Sequence, residues 1–404
     1  LHLLSRRQRQ MCIRDRIRSI CHFKEKNMRR ETIAVQIGEV VLSSEQPVLV
    51  QSMLNTSTLD TEACVEQSIR IIEAGGQLVR ITAPGVKEAE NLKNIRDILR
   101  ERSYTVPLSA DIHFSPAAAL VAARYVEKVR INPGNFVDKR ATFQNLVYTE
   151  EEYAAELQQL KCKFTEFLDE CRRHHTAVRI GTNHGSLSDR IMSRYGNTPA
   201  GMVEATMEYL RICQEIGFDQ VVISLKSSDC RIMVEAVRLL VKEMEKAGMK
   251  YPLHLGVTEA GEGEDGRIRS AVGIGCLLNE GIGDTIRVSL TEAPEQEIPV
   301  ARTLIGLCRP MYQPGRLYAM GRSTKPVIVA DISASEVVDE KAIRQLDFYE
   351  NKEIDPALGV RLEAGAKSPE MIYTEALGPE LTKLPSALRI IVPSRNLDMA
   401  HVYH

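Results

Sequence analysis

Four short apolar segments of the sequence each carry an arginine between two β-branched residues. The triplet Val-Arg-Ile occurs three times and the variant Ile-Arg-Val once, and a fifth segment, ISLKSS, carries a lysine at the corresponding place. Side chains alternate faces along a β-strand, so the valines and isoleucines would face one way and the cations the other. The five basic residues are Arg80, Arg130, Arg179, Lys226 and Arg287.

These five cations would repel one another at a common site unless negative charge answers them. An internal ion pair is the ordinary explanation for one such arginine. For five cations this explanation is weaker, because few acidic residues lie at the corresponding level of the segments. They are chiefly Asp111 and Glu259. A multiply charged anion, most simply a diphosphate, satisfies the pattern, since guanidinium groups bind phosphate oxygens in a bidentate way.

Polar residues at the ends of the same segments could complete such a site. LGVTEAGEG ends an apolar run on Thr258 and Glu259, and we expect Glu259 to lie at the rim, partly shielded from water, as an acid–base group. A salt bridge from Glu259 to Arg287 or Arg80 is the alternative. For His113, in SADIHF, a catalytic and a structural role both stay open. Further polar candidates are Asn132, Asn135, Thr182, Asn183, His184 and Ser289.

The segments that carry these residues alternate with helical patterns from residue 28 onward. Short β-branched strands separated by amphipathic helices are typical of a parallel sheet with crossover helices. Eight strands over about 280 residues predict a (β/α)8 TIM barrel, of the α/β class, whose sites lie at the carboxyl ends of the strands. The rival, an open doubly wound sheet, would carry G-x-G-x-x-G after its first strand, and this sequence does not. The predicted strands begin at residues 48, 78, 106, 128, 177, 220, 252 and 285.

Two helical segments bear on the details of this barrel. In DTEACVEQSIRIIEAGG, Asp60 or Thr61 is suited to cap the first turn, and Gly75 is suited to end the helix. The segment EEYAAELQQLKCKFTEFLDECRR lies in a longer gap between the fourth and fifth strands. We interpret it as an added helix or a lid.

Composition limits the classes of protein and partner. The 404 residues are 44% hydrophobic and 26% charged with a net charge of −2, which gives no reason to expect nucleic acid or a membrane surface as a partner. No apolar stretch approaches the roughly 18 residues of a membrane span, and we see no signal peptide. The nine cysteines include no C-x-x-C pair, which fits a reducing cytoplasm better than a disulfide framework or a zinc site.

Three regions are predicted along the chain. Residues 1–27 are basic and without periodicity, and we interpret them as a non-native leader, with a native basic arm as the alternative. Residues 28–309 would form the barrel. Residues 310–404 open with a stretch rich in proline, glycine and arginine, followed by the strand-like PVIVADIS, so we expect an incomplete second α/β domain there.

Eight motifs follow one another, one per strand, between residues 29 and 308. They are VQSMLNTSTLDTEACVEQ, VRITAP, LSADIHF, KVRINPGN, VRIGTNHGSL, ISLKSSD, LGVTEAGEG and GIGDTIRVSL. Each is weak alone, but together and in this order they resemble the 4-hydroxy-3-methylbut-2-enyl diphosphate synthase family of isoprenoid biosynthesis. The resemblance implies a TIM barrel similar to that of dihydropteroate synthase.

This resemblance also implies a reaction and a cofactor. The family opens 2-C-methyl-D-erythritol 2,4-cyclodiphosphate reductively, with loss of water, to (E)-4-hydroxy-3-methylbut-2-enyl diphosphate. A 4Fe-4S cluster delivers the electrons, which come from ferredoxin or flavodoxin. By motif match, Glu259 and His113 would face the reacting carbons, with Glu259 as the proton carrier. The residues expected to hold the substrate are Arg80, Arg130, Asn132, Arg179, Asn183, Lys226, Thr258, Arg287 and Ser289.

The sequence departs from the family in the ligands of the cluster. The family holds it in a C-terminal domain with a glutamate and three cysteines, two of them in a C-x-x-C pair that does not occur here. We expect that iron–sulfur domain to be absent, and residues 310–404 to be the shortened start of the domain inserted in the three-domain form. The chain alone would then bind substrate without turning it over. Turnover with a reduced donor, and without an added cluster domain, would contradict this expectation.

Three other functions stay open on the residues alone. Lys226, near the end of a barrel strand, could form a Schiff base as in aldolases, with the surrounding arginines lowering its pKa. A pterin-binding transferase is suggested by barrel similarity only. A protein that merely binds a phosphorylated metabolite is the non-catalytic alternative.

Overall fold

The computed structural model describes residues 29–112, 114–138, 147–308 and 310, together with the backbone of five short strands between residues 329 and 391. The chain divides into two compact units, Leu1–Tyr318 and Ala319–His404. The predicted leader, residues 1–27, lies outside the described residues, and so does His113. In the part of the chain that is described, no helix is both long enough and apolar enough to cross a membrane.

The first unit contains the predicted eight-stranded parallel barrel. Neighbouring strands pair in parallel, and a further parallel bridge between Ile223 and Leu253 joins the two ends of the sheet, so the barrel is closed. All eight barrel strands fall within the predicted segments. The strands of this unit are β1 (Val35–Ile37) and β2 (Val40–Leu42), then the barrel strands β3 (Leu49–Met53), β4 (Leu78–Thr82), β5 (Leu108–Asp111), β6 (Lys128–Ile131), β7 (Ala177–Asn183), β8 (Val221–Lys226), β9 (His254–Leu255) and β10 (Thr285–Ile286).

Helices connect the strands on the outside of the barrel. The first begins as predicted, because the side chain of Asp60 accepts a hydrogen bond from the N–H of Ala63. Gly75 follows its end with a φ of +97°, a conformation that favours glycine. The helices are α1 (Thr61–Glu73), α2 (Val86–Glu101), α3 (Pro116–Ala122), α4 (Glu150–His174), α5 (Asp189–Tyr195), α6 (Pro199–Glu215), α7 (Cys230–Lys246), α8 (Gly263–Asn279) and α9 (Glu297–Leu307).

The interpretation of residues 151–173 as an added helix or a lid is wrong. These residues lie in α4, the ordinary crossover helix between β6 and β7, which begins at a capping box formed by Thr149 and Glu152. Its buried face carries Phe164 and Phe167, which pack edge-on against Phe136 after β6. The gap is long because the crossover helix itself has 25 residues.

An antiparallel hairpin, which the sequence analysis did not predict, closes the amino-terminal end of the barrel. β1 and β2 pair with Val35 opposite Leu42. An apolar cluster joins the hairpin to residues near the starts of four barrel strands, whose neighbours along each strand belong to the helix-facing core. Because side chains alternate along a strand, the members from the barrel strands lie inside the barrel. This cluster, the apolar floor, consists of Val35, Ile37, Leu42, Leu49, Leu78, Ala177 and Val222.

Truncating the apolar floor is expected to destabilise the barrel. Ile37→Ala should lower the free energy of unfolding by about 3 kcal/mol, because it removes a fully buried side chain and leaves a cavity. Urea denaturation measures the loss. Val40→Ala, at a partly exposed position of the same hairpin, is the matched control and should lose clearly less. Equal losses for the two variants would contradict the role of the floor.

The second unit contains two small sheets. A three-stranded parallel sheet and a two-stranded antiparallel sheet are described there. That this unit is an α/β domain stays a prediction, because the residues between its strands lie outside the described residues. That residues 310–404 begin an inserted domain stays a prediction. The strands are β11 (Val329–Asp331), β12 (Ile354–Asp355), β13 (Gly359–Val360), β14 (Met371–Tyr373) and β15 (Arg389–Ile391), and the parallel sheet has the order β11, β14, β15.

Candidate functional site

The basic side chains of the repeated triplets point into the barrel, as predicted. Val79 and Ile81, on either side of Arg80, belong to the core between the barrel and the helices, and so do the residues flanking Arg130 and Arg179. The three arginines are 4%, 3% and 1% exposed, in the same order. The barrel interior therefore holds several cations where electrostatic interactions are stronger than in water.

Asp111 is the carboxylate at the centre of this group. Its Oδ2 accepts a hydrogen bond from Nη2 of Arg80, and its Oδ1 accepts one from Nη2 of Arg179 at 3.0 Å. Burial alone would raise the pKa of Asp111, but the three arginines Arg80, Arg179 and Arg130 hold it well below its ordinary value. Asp111 is therefore ionised and binds two arginines at once.

Arg130 lies across β7 at a point where that strand has no side chain. Its Nη2 donates to the carbonyl oxygen of Gly181 at 2.8 Å, and a Cβ on Gly181 would lie 2.6 Å from Nε of Arg130. That Nε is buried without a hydrogen-bond partner among the described residues. Burial lowers the pKa of Arg130 to about 10 against the attraction of Asp111, so the group stays charged at neutral pH. Arg130 therefore keeps a donor that an anion could use.

Lys226 ends β8 and faces a second glycine. A Cβ on Gly256 would lie 3.0 Å from Nζ of Lys226, so the lysine needs the space that glycine leaves. Burial first, and then the charges of Arg80, Arg179 and Arg287, lower the pKa of Lys226 well below its ordinary value. The lysine therefore lies among the arginines, as the sequence predicted.

Arg287 forms an ion pair with a carboxylate that was not predicted from the sequence. Nε of Arg287 donates to Oε2 of Glu297 at 3.0 Å, and Nη2 donates to Oε1 at 2.9 Å. Glu297 begins α9, is buried, and also accepts hydrogen bonds from the hydroxyl of Ser52 and the N–H of Leu290. The alternative considered for Glu259 was a salt bridge to Arg287 or Arg80. In the described structure, it is Glu297 that forms the salt bridge with Arg287.

Two further basic residues inside the barrel were not predicted. Lys128 precedes Arg130 by two positions and is fully buried, so the two-residue period of a strand could have identified it. His254, in β9, has its Nδ1 3.3 Å from Nη1 of Arg179. A guanidinium can only donate, so Nδ1 accepts and the neutral ring carries its proton on Nε2. Burial, followed by Lys226 and other cations, keeps the pKa of His254 well below its ordinary value.

The predicted polar residues lie at the carboxyl ends of the strands, with different exposure. Asn132 is buried, and its side-chain oxygen accepts from the N–H of Gly134 at 3.3 Å. Oδ1 of Asn135 is buried and has no partner in the described part of the chain. Nε2 of His184 lies 3.2 Å from the carbonyl oxygen of Asn197, which gives this ring a structural partner. The predicted polar residues that lie partly exposed are Asn183, His184, Thr258 and Ser289.

Glu259 is exposed, so the expectation that it is partly shielded from water is wrong. The physical reason is that β9 ends at Leu255, which leaves Glu259 in an exposed turn instead of at the end of a strand. Its backbone has a φ of +52°, in the left-handed region. A non-glycine residue adopts this conformation at a cost of about 1 kcal/mol or more, and such residues cluster at functional sites.

The described residues do not provide a ligand set for a metal. In that part of the chain, no group of three or more His, Cys, Asp or Glu side chains is placed to hold a metal ion. Cys171 and Cys213 are fully buried free thiols, and burial raises the pKa of both. Thiolate, not thiol, is the form that binds metals. The described side chains of this barrel therefore do not fit an iron–sulfur cluster.

The charges inside the barrel do not balance. Six basic side chains face the interior, whereas the carboxylates that pair with them among the described residues are Asp111 and Glu297. Excess positive charge in a buried space is costly unless an anion enters it. We call this group of inward-facing side chains the basic well. It consists of Arg80, Lys128, Arg130, Arg179, Lys226 and Arg287, and its charge is suited to a ligand with several negative charges.

Comparison with known proteins identifies the family to which the barrel belongs. Residues 32–302 match the family described as the GcpE TIM-barrel domain. A Phocaeicola vulgatus protein named 4-hydroxy-3-methylbut-2-en-1-yl diphosphate synthase (flavodoxin) is 64% identical over 277 residues, which are 69% of this chain and 45% of that protein. The chloroplastic synthase (ferredoxin) of Arabidopsis thaliana is 52% identical over 287 residues, which are 71% of this chain and 39% of that protein.

Similarity to solved structures is weaker. The match to a dihydropteroate synthase structure from Yersinia pestis spans 68% of this chain and 98% of that chain at 11% sequence identity. Its TM-score of 0.44 is too low to support a conclusion. The chain spans less than half the length of the curated relatives named above. The family match, however, covers most of the chain and all eight barrel strands. The chain therefore belongs to the GcpE TIM-barrel family.

Proposed function

We propose that this barrel binds 2-C-methyl-D-erythritol 2,4-cyclodiphosphate for its conversion to (E)-4-hydroxy-3-methylbut-2-enyl diphosphate. The conversion is a two-electron reductive ring opening with loss of water, which makes the enzyme an oxidoreductase of isoprenoid biosynthesis. The relatives described above are named as synthases of this product. The observation that carries the proposal is the basic well, with its excess of cations at the end of the barrel where such enzymes keep their sites.

The basic well supports binding of the diphosphate group. Nε of Arg130 and Nη1 of Arg80 are buried without hydrogen-bond partners among the described residues. Such donors bind phosphate oxygens strongly away from water. Arg179 is oriented by Asp111, which leaves its guanidinium fixed in position before ligand arrives. At the mouth, the residues proposed to assist are Asn132, Asn183, Thr258 and Ser289, with Arg287 held in place by Glu297.

Glu259 is the proposed proton carrier. It follows Thr258 directly at the mouth, and its left-handed backbone is held in an exposed turn. Gly261, between Glu259 and the start of α8, has a φ of +111°, a conformation that favours glycine, and we propose that this short connection lets Glu259 reach a bound substrate. His113 is the second proposed catalytic residue.

The electrons of the proposed reaction come from outside the described barrel. The family resemblance implies a 4Fe-4S cluster, whose ligands the described residues do not supply. We infer ferredoxin or flavodoxin as the electron donor, because the names of the relatives specify flavodoxin for the bacterial protein and ferredoxin for the plant protein. A cytoplasmic location is proposed from the free cysteines of the described residues.

Calorimetric titration with the cyclodiphosphate tests the proposal. Lys226→Met should weaken binding by about 10- to 100-fold, because a charge-assisted hydrogen bond contributes about 1.5–3 kcal/mol. Lys93→Met, at an exposed ion pair on α2, is the matched control and should bind like the wild type. Inorganic diphosphate that binds as tightly as the cyclodiphosphate would indicate generic anion binding. Wild-type affinity in Lys226→Met would contradict a role for Lys226 in binding the diphosphate group.

A Schiff base at Lys226 is the second candidate, because burial lowers the pKa of this lysine toward the range in which its amine is nucleophilic. Borohydride reduction in the presence of a carbonyl substrate would trap such an adduct covalently. We expect no adduct by mass spectrometry, since the relatives are named as synthases of a diphosphate. An adduct trapped at Lys226 would favour aldolase-type chemistry over diphosphate binding as the function of this lysine.

A further inference from the structure

Below the proposed diphosphate site lies a basic residue to which that function gives no role. Lys128 begins β6 and is two residues from Arg130, so it lies deeper on the same inward face. It is fully buried, and its Nζ has no hydrogen-bond partner among the described residues. Ser109, its neighbour in register on β5, has a buried hydroxyl that is also without a partner in the described structure.

The charged groups around Lys128 mostly share its sign. Burial first, and then Arg179 on β7 and Arg80 on β4, lower the pKa of Lys128 well below its ordinary value, and Asp111 on β5 acts in the opposite direction. Asp111 binds both of those arginines, so these three groups together carry a net positive charge beside the lysine. The other titratable groups that face the interior are Arg130 on the same strand, Lys226 on β8 and His254 on β9.

Beneath Lys128, toward the amino-terminal end of the barrel, lies the apolar floor, whose side chains carry no charge. A ligand would enter from the mouth, at the opposite end, and would bring its negative charge toward Lys128 from there. The protonation of Lys128 and the occupancy of the basic well are thus linked by geometry.

We propose that Lys128 balances the charge of the basic well, being neutral while the well holds no anion and taking up a proton when a polyanionic ligand binds. This rests on the proposed function, in which the cyclodiphosphate is the ligand. Its negative charge would offset the repulsion from Arg80 and Arg179, so that the ammonium becomes the favoured form. The proton comes from the solvent, and no covalent bond to the ligand forms or breaks.

Proton uptake makes the affinity depend on pH. Raising the pH removes the proton that the complex needs, so binding weakens by up to about tenfold per pH unit while Lys128 is neutral in the free protein and charged in the complex. The ligand does not contribute to this dependence. Each phosphorus atom of a cyclic diphosphate carries one strongly acidic group, so the charge of the ligand is constant near neutral pH.

Calorimetry in buffers of different ionisation enthalpy tests the proposal on the whole chain, with the cyclodiphosphate as the probe. The wild type should take up protons on binding, and Lys128→Met should take up fewer, by up to about one per bound ligand. The affinity of the variant should also vary less with pH. Lys93→Met, an exposed lysine on α2, should behave like the wild type. Lys128→Gln serves as the second variant where Lys128→Met does not fold.

The outcomes separate this inference from the proposed function. Binding without proton uptake in the wild type would overturn the role of Lys128 and leave the proposed function intact. Equal uptake by the wild type and by Lys128→Met would also overturn it, since another group would then be taking up the proton. Absence of binding in the wild type would overturn both.

Discussion

Asp111→Asn is expected to lower the free energy of unfolding by about 3–5 kcal/mol, because it leaves two buried arginines without their carboxylate. Arg80 and Arg179 both donate to Asp111 inside the barrel, and an asparagine side chain has no charge with which to replace it. The loss is measured by urea denaturation at neutral pH. A loss below about 1 kcal/mol would mean that Asp111 is not what holds these cations in the interior.

The pH dependence of this effect has a definite sign. The pKa of Asp111 in the folded chain is well below its ordinary value, whereas the unfolded chain has a pKa near 3.9. Between these two values the unfolded chain binds the proton and the folded chain does not, so stability falls as the pH falls. The difference in stability between the wild type and Asp111→Asn should be constant above about pH 5 and should shrink below about pH 4.

Two comparisons make the result specific. Asp97→Asn removes a carboxylate from a partly exposed position on α2, where it pairs with Lys93 and Arg96, and should cost less than about 1 kcal/mol. The cyclodiphosphate should restore part of the stability of Asp111→Asn, about 2.7 kcal/mol at a ligand concentration 100 times the dissociation constant. Absence of any such rescue would indicate that the ligand needs Asp111 to organise the arginines.

The inward-facing cations could be predicted from the sequence because their placement depends on a local rule. Within a strand, the residues next to Arg80, Arg130 and Arg179 are apolar, and that alone assigns each arginine to the opposite face. The barrel followed from the same kind of information, repeated eight times along the chain. The same rule, carried two residues back from Arg130, also identifies Lys128.

The residues that were missed or misplaced depend on tertiary packing. Glu297 reaches Arg287 because α9 begins at the mouth, and nothing in the local sequence distinguishes it from Glu292 and Glu295 nearby. Glu259 was expected at a strand end, but β9 is only two residues long and the chain has already turned outward. The strands of the β1–β2 hairpin are each three residues long, too short to show a period.

Arg130→Met is expected to weaken binding of the cyclodiphosphate by about 10- to 100-fold, because it removes charge-assisted hydrogen bonds worth about 1.5–3 kcal/mol. Stability should be unchanged or higher, since a buried cation without its own carboxylate is replaced by an apolar side chain. Calorimetry and urea denaturation measure the two effects. Arg211→Met, at an exposed ion pair with Glu204 on α6, is the matched control and should bind normally.

Gly181→Ala tests whether Arg130 must lie against Gly181 of β7 in order to bind the ligand. The added Cβ would lie 2.6 Å from Nε of Arg130, so the guanidinium must move away from the carbonyl oxygen that it contacts. We expect binding of the cyclodiphosphate to weaken about tenfold, and the same glycine substitution to have little further effect once residue 130 is methionine. Additive losses in the double variant would show that Gly181 affects the ligand by another route. Losses that are not additive would show that part of the binding energy comes from the guanidinium group of Arg130, in the position that Gly181 leaves open for it.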